Sequence, residues 1–585
     1  MKPSTIRLRD FIVATATLLA AAGACAAPQW VLVNGKVFTA DDAQPMAQAV
    51  AVENGLILAV GSDERIRALA GPATRIVDVG GRLITPGLVE AHVHIGLSLP
   101  SPPLRLPNMP FPGPSGEQVL AAVSQAVKQA EGQSERSGNG WISAYIGPLI
   151  ARDQRNWRQA LDAVAPDTPV LLRGFWGHTS ITNSAGLKRL GVAEDTVDPL
   201  GGWWARDVAG RLDGHAWEAA ETLETRIRPE EPAQLIPVFD EAAERYAQWG
   251  VTAIHLMNTG KSVATTLAVL GAIKPRQKWT VYSWGVWGVS QTSQTSQTSQ
   301  TLARDIEAAW TVVDAAQGKT PPKVRVEGPK WVLDGTPLEE LAHRRTPYPG
   351  RPDWSGRSNF NDAQLRQIVR LALGRPSQPA LHVVGDAETA RLFKAMEDAA
   401  PAATWRAKRV RIEHGDGIRP DLLAQAARLG VVVIQNPTHL ESSPGGLKVM
   451  DAESLLKSLA QAGIVVALGS DGGWRERNPF LNLMLAISDA SAPKEALSRE
   501  QALKAYTLGG AHAAHQEARQ GRIAPGMAAD LAVLSQDVLS VPLQQLPVTT
   551  SLLTLVDGEV VFEDPSLTAG LSRAAPTAPD PSRPR

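Results

Sequence analysis

The run Thr85-Pro-Gly-Leu-Val-Glu-Ala-His-Val-His, residues 85–94, decides how the rest of the chain is interpreted. It is an apolar segment that ends in two histidines with one residue between them. Because the side chains of a strand alternate between its two faces, His92 and His94 would point to the same face and could bind one ion. The segment therefore predicts a strand with half of a metal site at its carboxyl end.

Seven further apolar segments lie later in the chain, and each is followed by a helical pattern. Strands that alternate with helices in this way are typical of a parallel α/β fold, and eight units predict a closed (β/α)8 TIM barrel. The eight predicted strands comprise residues 87–94, 251–256, 279–284, 329–334, 380–385, 410–414, 431–435 and 464–470.

Outside the barrel, residues 30–84 alternate apolar and polar positions around Gly and Asn-Gly turns, and similar signals return near the other end of the chain. This pattern predicts a small β-sandwich formed from both termini. A large insertion after the first barrel strand is expected to cover the substrate. The predicted division is a signal peptide 1–26, a first sandwich segment 27–84, the first barrel strand 85–95, the insertion 96–245, the remaining barrel 246–515, a second sandwich segment 516–565 and a disordered tail 566–585.

The composition places the chain among ordinary soluble globular proteins. It has 585 residues, a formal net charge of -1 and 20% charged residues. These values exclude the basic surface of a nucleic-acid-binding protein. A repeat of Gln-Thr-Ser at residues 291–301 has no apolar side chain to bury and is expected to be a surface loop.

The first 26 residues predict a cleaved signal peptide. Lys2, Arg7 and Arg9 precede a short apolar core at residues 11–22, and Ala24-Cys-Ala supplies small residues for cleavage. The core is too short for a comfortable membrane span, so we expect a protein secreted to a bacterial periplasm. Two alternatives stay open, a retained anchor helix and a lipoprotein acylated on Cys25, which is the one cysteine of the sequence.

Four more side chains with metal or proton chemistry lie in the later strands. Lys330 lies in the fourth, His382 in the fifth and His414 in the sixth, and Asp471 directly follows the eighth. Active sites of TIM barrels form at the carboxyl ends of the strands. These side chains are therefore expected to converge with the two histidines of the first strand.

This series of motifs resembles the amidohydrolase superfamily, in particular its amidohydrolase-3 branch, which includes N-substituted formamide deformylase. The resemblance spans residues 30–562, and the motifs occur in the family's order. The matching motifs are Thr85-Pro-Gly-Leu-Val-Glu-Ala-His-Val-His, Lys330-Trp-Val-Leu-Asp-Gly, Leu381-His-Val-Val-Gly-Asp, Arg411-Ile-Glu-His-Gly, Leu468-Gly-Ser-Asp, Tyr506-Thr-Leu-Gly-Gly-Ala and Gly521-Arg-Ile-Ala-Pro-Gly-Met-Ala-Ala-Asp-Leu.

The resemblance implies a hydrolase with two divalent metal ions. Zinc is expected, although histidine and carboxylate ligands alone do not identify the metal. A hydroxide generated from water at the metals would attack the carbonyl of an amide or formamide-like small molecule, and Asp471 would carry the proton to the leaving nitrogen. The implied ligands are His92, His94 and Asp471 for one ion, His382 and His414 for the other, and Lys330 as a bridging carboxylated lysine.

Several alternatives stay open at this point. His178, in the insertion, and His439, after the seventh strand, are predicted to polarise the substrate carbonyl, but either could simply bond the backbone. Lys330 could be a salt-bridged lysine beside a one-metal site. The same scaffold could serve a deaminase, an esterase or a lactonase, or a metal-bearing binding protein without turnover. The predicted partner is a small-molecule substrate, with no nucleic acid and no membrane span, and a homo-oligomer stays open.

Overall fold

A computed structural model gives the fold of most of the chain. It describes residues 27–96, 104–109, 113–131, 140–218, 223, 227, 231–259, 261–285, 299–440, 454–472, 477–488 and 492–569. The predicted signal peptide, most of the Gln-Thr-Ser repeat and most of the predicted tail lie outside these residues. Within these ranges we find no helix with the length and hydropathy needed to cross a bilayer.

Eight parallel strands form the centre of the molecule. Each strand pairs with the next one along the chain, from the first strand to the eighth. The prediction of a TIM barrel is confirmed, and each of the eight predicted segments overlaps one barrel strand. The strands are Leu88–Val93, Val251–Asn258, Lys278–Trp284, Val324–Val332, Ala380–Val383, Arg411–His414, Val432–Gln435 and Val465–Leu468.

Backbone contacts bring the eighth strand back to the first. The N–H groups of Ser470 and Asp471 both donate to the carbonyl oxygen of His92, at 3.2 and 3.0 Å. Gly469 permits this close approach, because a Cβ atom there would lie 2.5 Å from the backbone nitrogen of His92. The same contacts that close the barrel therefore place Asp471 beside the two histidines of the first strand.

Helices surround the barrel, and the largest cluster of buried apolar side chains lies between them and the strands. Local signals fix several helix ends. Asn361 and Gln364 form a capping box at the start of one helix, and Gly430 ends another with a φ of 67°. Among the described residues from 232 to 513, the α-helices are Pro232–Gln248, Val263–Ala272, Ser299–Ala316, Asp362–Gly374, Asp386–Ala399, Ala402–Lys408, Leu423–Leu429, Leu456–Gln461, Pro479–Ser488, Arg499–Lys504 and Gly510–Ala513.

Shorter helical turns complete this layer. Residues Pro437–Leu440, Pro493–Glu495 and Leu543–Val548 form 3₁₀ turns, and Ala505–Gly509 forms a π-helical turn.

Two further sheets confirm the sandwich predicted from both termini. Their facing side chains share one buried cluster that includes Leu32, Val50, Ile84 and Val533. One sheet has the strand order Leu56–Gly61, Ala49–Glu53, Trp30–Val33, Arg75–Asp78. The other has the order Glu559–Glu563, Ser551–Val556, Leu531–Leu534, Leu83–Pro86, Lys36–Phe38, Met46–Ala47. Short helices Asp63–Arg67 and Ser566–Ala569 belong to these end segments.

The insertion after the first barrel strand folds around a five-stranded sheet of its own. An apolar cluster that includes Ile146, Trp157 and Leu172 forms its core. The strand order is Trp203–Arg206, Leu212–Trp217, Thr179–Thr182, Val170–Gly174, Ile142–Ile146. In the described part of the insertion, helices with defined bounds are Gly116–Glu131, Pro148–Arg152, Trp157–Asp162 and Ser184–Leu190.

Candidate metal centre

The barrel brings the six predicted ligands to one place. Nζ of Lys330, in the fourth strand, lies 3.3 Å from Nε2 of His92. Oδ1 of Asp471 lies 3.3 Å from Nε2 of His92 and 3.3 Å from Nε2 of His94. The rings of His382 and His414, in the fifth and sixth strands, have centroids 4.5 Å apart. The rings of His92 and His414 lie 5.1 Å apart, and this contact joins the His382–His414 pair to the other four side chains.

Three of these side chains already form a compact donor set. Ligand atoms of His92, His414 and Asp471 all lie within 4.8 Å of one another. His92 is fully buried, and His414 is nearly so. Nitrogen and carboxylate donors at such separations can share one divalent cation.

Each of three histidines is held by a hydrogen bond at its Nδ1 atom. His92 Nδ1 lies 2.6 Å from Oε2 of Glu413, and His94 Nδ1 lies 2.7 Å from Oγ1 of Thr259. His414 Nδ1 lies 2.8 Å from Oδ1 of Asn436. Such outer partners fix the ring orientation of metal-binding histidines.

Glu413 is itself held by a fully buried arginine. Nε of Arg411 donates to Oε1 of Glu413 at 2.8 Å, and both side chains are inaccessible to solvent. Burial by itself would raise the pKa of Glu413, but the charge of Arg411 and the hydrogen bond to His92 hold it well below its usual range. Arg411 also contacts Nδ1 of His255 at 2.9 Å and the hydroxyl of Tyr282 at 3.2 Å. A buried polar network therefore lies under the candidate site.

Burial favours the neutral form of His94, His382 and His414, which is the form that binds metal. Burial and the nearby charge of Lys330 lower the pKa of His94 to about 3. The pKa values of His382 and His414 also lie well below the usual range, mainly because burial disfavours the charged ring. Metal ligands must be deprotonated, so these rings have lone pairs to offer at neutral pH.

The residues present fit a divalent metal. Nε2 of His382 is buried and has no hydrogen-bond partner among the described residues. A buried imidazole nitrogen with no protein partner is costly unless something else binds it. Near it lie the imidazole of His414 and the Asp471 carboxylate, whose pKa is held well below its usual range by His92 and His94 although burial opposes this. Imidazole and carboxylate together suit zinc and similar first-row metals.

The two predicted substrate histidines also lie at this cluster. The ring of His178 lies 5.0 Å from that of His382, and the ring of His439 stacks on His414 at 5.6 Å. Nε2 of His439 lies 3.7 Å from Oδ2 of Asp471. The positions agree with the predicted roles but do not test them.

Other histidines lie away from the ligand cluster. His215 stacks on Trp217, and His343 pairs with Glu388 at 2.9 Å. His512 lies 3.8 Å from Glu517. Sequence reasoning missed Glu413, Thr259 and Asn436 as partners of the ligands, although the first lies within a motif that was recognised.

Glu413→Gln is expected to weaken metal binding about 10–100-fold, because His92 loses the carboxylate that orients it. A competition titration against a chromophoric chelator measures this. Glu388→Gln is the matched control, since it makes the same change at the histidine–glutamate pair with His343, outside the ligand cluster. Native metal affinity in Glu413→Gln would show that this carboxylate does not support the site.

Comparison with known proteins agrees with the geometry. The amidohydrolase family (Amidohydro_3) matches residues 75–562. The chain is 27% identical over 523 residues to Protein LONG AFTER FAR-RED 3 of Arabidopsis thaliana, covering 86% of each chain. It is 25% identical over 565 residues to N-substituted formamide deformylase of Arthrobacter pascens, covering 91% of this chain and 98% of that one.

A similar fold occurs among solved structures. A metal-dependent hydrolase from Pyrococcus horikoshii OT3 superposes with a TM-score of 0.61 at 18% identity, covering 88% of this chain and 99% of that one. At this level of identity the likeness concerns the fold alone.

Proposed function

This chain belongs to the amidohydrolase family, and from that premise we propose that it is a metal-dependent hydrolase that cleaves a C–N bond of an amide- or formamide-like small molecule. One observation carries the proposal. Asp471 places one carboxylate oxygen 3.3 Å from Nε2 of both His92 and His94, and the other 3.7 Å from Nε2 of His439. A carboxylate in this position can bind the metal and can also accept and donate a proton.

The proposed ligand assignment is the one that the family resemblance implies. Lys330, whose Nζ lies 3.3 Å from Nε2 of His92, would bridge the ions as a carbamate, because a free ammonium has no lone pair to offer. Zinc is the proposed metal. When bound, the ions would lower the pKa of a coordinated water toward neutrality and polarise the substrate carbonyl. The proposed ligands are His92, His94 and Asp471 for the first ion, and His382 and His414 for the second.

The chain's own side chains would then move the proton and orient the substrate. The carboxylate of Asp471 is ionised at neutral pH, so it can accept a proton from the attacking water and deliver it to the leaving nitrogen. His178, whose ring lies 5.0 Å from that of His382, and His439, whose ring lies 5.6 Å from that of His414, would contact the substrate carbonyl. Hydrogen bonds from such groups to a developing oxyanion stabilise the transition state.

An activity screen tests the proposed reaction. The metal-reconstituted protein is assayed against N-formyl and N-acetyl derivatives of the same aliphatic and aromatic amines, with release of the free amine as the readout. Amine release that a chelator abolishes, and that Asp471→Asn lacks, is the expected result. Turnover of an aminated ring or a lactone instead would identify the deaminase or lactonase alternative. Metal binding with no turnover of any of these would favour a binding protein.

Export to the periplasm is also proposed, and it rests on the basic and apolar pattern of residues 1–26. Intact mass measurement of the protein from its native host is expected to show a chain that begins at Ala27 or Pro28. A mature chain that still carries Met1 would contradict export with cleavage. A lipid on Cys25 would instead place the protein on a membrane surface.

A further inference from the structure

A second group of ionisable side chains lies directly beside the candidate metal centre. Ligand-type atoms of His178, Glu218 and Glu339 all lie within 4.8 Å of one another. His178 and Glu218 belong to the insertion, and Glu339 follows the fourth barrel strand. The ring of His178 also contacts that of His382, so this group adjoins the proposed ligands.

Within this group, Glu218 engages one nitrogen of the histidine. Both carboxylate oxygens of Glu218 lie 3.0 Å from Nδ1 of His178, and only 4% of Glu218 is exposed. The backbone N–H of Glu218 donates to the carbonyl oxygen of His178 at 2.9 Å. The pair is therefore joined through both its side chains and its backbones.

The backbone at both residues is in the left-handed region. The φ angle is 61° at His178 and 57° at Glu218. A glutamate rarely adopts this conformation, which costs free energy and is concentrated at functional sites. His414 and Asp471, two of the proposed ligands, share this feature with φ angles of 70° and 42°. The pair thus resembles the ligands in its backbone as well as in its location.

Glu339 anchors the hairpin that carries His178 to the barrel. Its Oε2 accepts hydrogen bonds from Nε1 of Trp176 at 2.7 Å and from the hydroxyl of Thr336 at 2.6 Å. Its Oε1 accepts from the backbone N–H of Thr336 at 2.8 Å. Gly335 is closely surrounded, since a Cβ atom there would lie 3.0 Å from Oε1 of Glu339 and 3.3 Å from Oε1 of Glu218.

We propose that Glu218 is the positioning residue of His178, and that the pair forms a histidine–carboxylate dyad through which the insertion contributes to catalysis in the barrel. This inference rests on the proposed hydrolase function. With Nδ1 engaged by Glu218, contact between His178 and the substrate carbonyl is made by Nε2. A carboxylate at one ring nitrogen fixes the tautomer and orientation of the imidazole, as the aspartate of a serine protease triad does.

A cation bound by the same three side chains is the competing explanation. The hydrogen bonds favour the dyad, because both oxygens of Glu339 already accept bonds from Thr336 or Trp176 and both oxygens of Glu218 face the same nitrogen. Burial also raises the pKa of Glu339, against the lowering effects of His178 and Thr336. Metal analysis distinguishes the two explanations.

A double-mutant cycle on amine release tests the dyad. Glu218→Ala is expected to lower kcat/KM about 10–100-fold in the native background, with unchanged metal content. In a His178→Ala background, the same change is expected to have less than about a threefold effect, because its target is gone. Glu218→Gln keeps an oxygen that can accept from Nδ1 and is expected to retain more activity than Glu218→Ala. If Glu218→Ala does not fold, Glu218→Gln takes its place in the double-mutant cycle.

A readout that needs no substrate separates this inference from the proposed function. The hydrogen-bonded imidazole N–H of His178 is expected to give a downfield proton resonance that both Glu218→Ala and His178→Ala remove. The control Glu388→Ala, at the pair with His343, is expected to leave that resonance in place. If the resonance behaves in this way but no amide is hydrolysed, the proposed function is wrong while the pairing stands.

Three results would overturn the dyad. The first is an equal loss of activity on Glu218→Ala in both backgrounds. The second is a loss of metal from the barrel site in Glu218→Ala. The third is an additional metal equivalent in the native protein that Glu218→Ala and Glu339→Ala each remove, which would establish a cation site.

Discussion

Asp471→Asn is expected to lower turnover about 10²–10⁴-fold while most of the metal stays bound. This loss corresponds to roughly 3–5 kcal/mol of activation free energy. The amide keeps an oxygen near Nε2 of His92 and His94, which the carboxylate contacts at 3.3 Å in the native protein. It can no longer accept a proton from water or return it to the leaving nitrogen. Metal content and steady-state turnover, measured on the same preparation, check the expectation.

Asp471→Glu provides the comparison for this variant. It keeps the proton-accepting group but moves it, so it is expected to retain more activity than Asp471→Asn. Near-native turnover of Asp471→Asn with full metal content would show that Asp471 does not carry the proton, and the proposed mechanism would have to be abandoned.

His382→Ala is expected to remove metal and activity together. The native ring is buried with an Nε2 atom that has no hydrogen-bond partner among the described residues, and it contacts the rings of His414 and His178. Loss of a ligand is expected to weaken metal binding by more than the roughly 10–100-fold that is typical when a residue hydrogen-bonded to a ligand is lost. Equilibrium dialysis followed by elemental analysis measures the affinity.

His343→Ala is the control for this second expectation. His343 is a histidine that lies outside the ligand cluster, where it pairs with the carboxylate of Glu388. It is expected to keep native metal content and turnover. Full metal occupancy in His382→Ala at native affinity would remove His382 from the ligand set.

The eight barrel strands could be predicted because each is a compact apolar segment followed by a helical pattern. The fourth strand shows the limit of this reasoning. It begins at Val324, although the apolar pattern placed its start at residue 329. The preceding residues include the charged Arg325 and Glu327, whose side chains pair with each other at 2.6 Å along an extended backbone. Polar side chains that satisfy each other do not interrupt a strand.

The ligand candidates were predictable from their places at strand ends, whereas their supporting partners were not. Strict alternation would send the side chains of Glu413 and His414 to opposite faces of the sixth strand. The left-handed backbone at His414, with a φ of 70°, breaks that alternation and allows both to serve the site. No pattern in the sequence predicts the left-handed φ angle of His414.

Glu218 was missed for a different reason. It lies forty residues from His178 along the chain, and no periodicity relates the two. Only the antiparallel pairing of their strands, in which Thr179 lies opposite Trp217, brings them together. Contacts of this kind depend on the register of two strands in the insertion, and local sequence patterns do not predict that register.

The number of metal ions per chain tests the central claim most directly. The protein is purified without chelator, reconstituted with zinc and bicarbonate, and examined by elemental analysis. We expect two ions per chain in the native protein and a lower number in Lys330→Ala, because the proposed bridge is lost. A native protein that holds well under one ion per chain after reconstitution would contradict the account, and a single ion unaffected by Lys330→Ala would contradict the bridging role of Lys330.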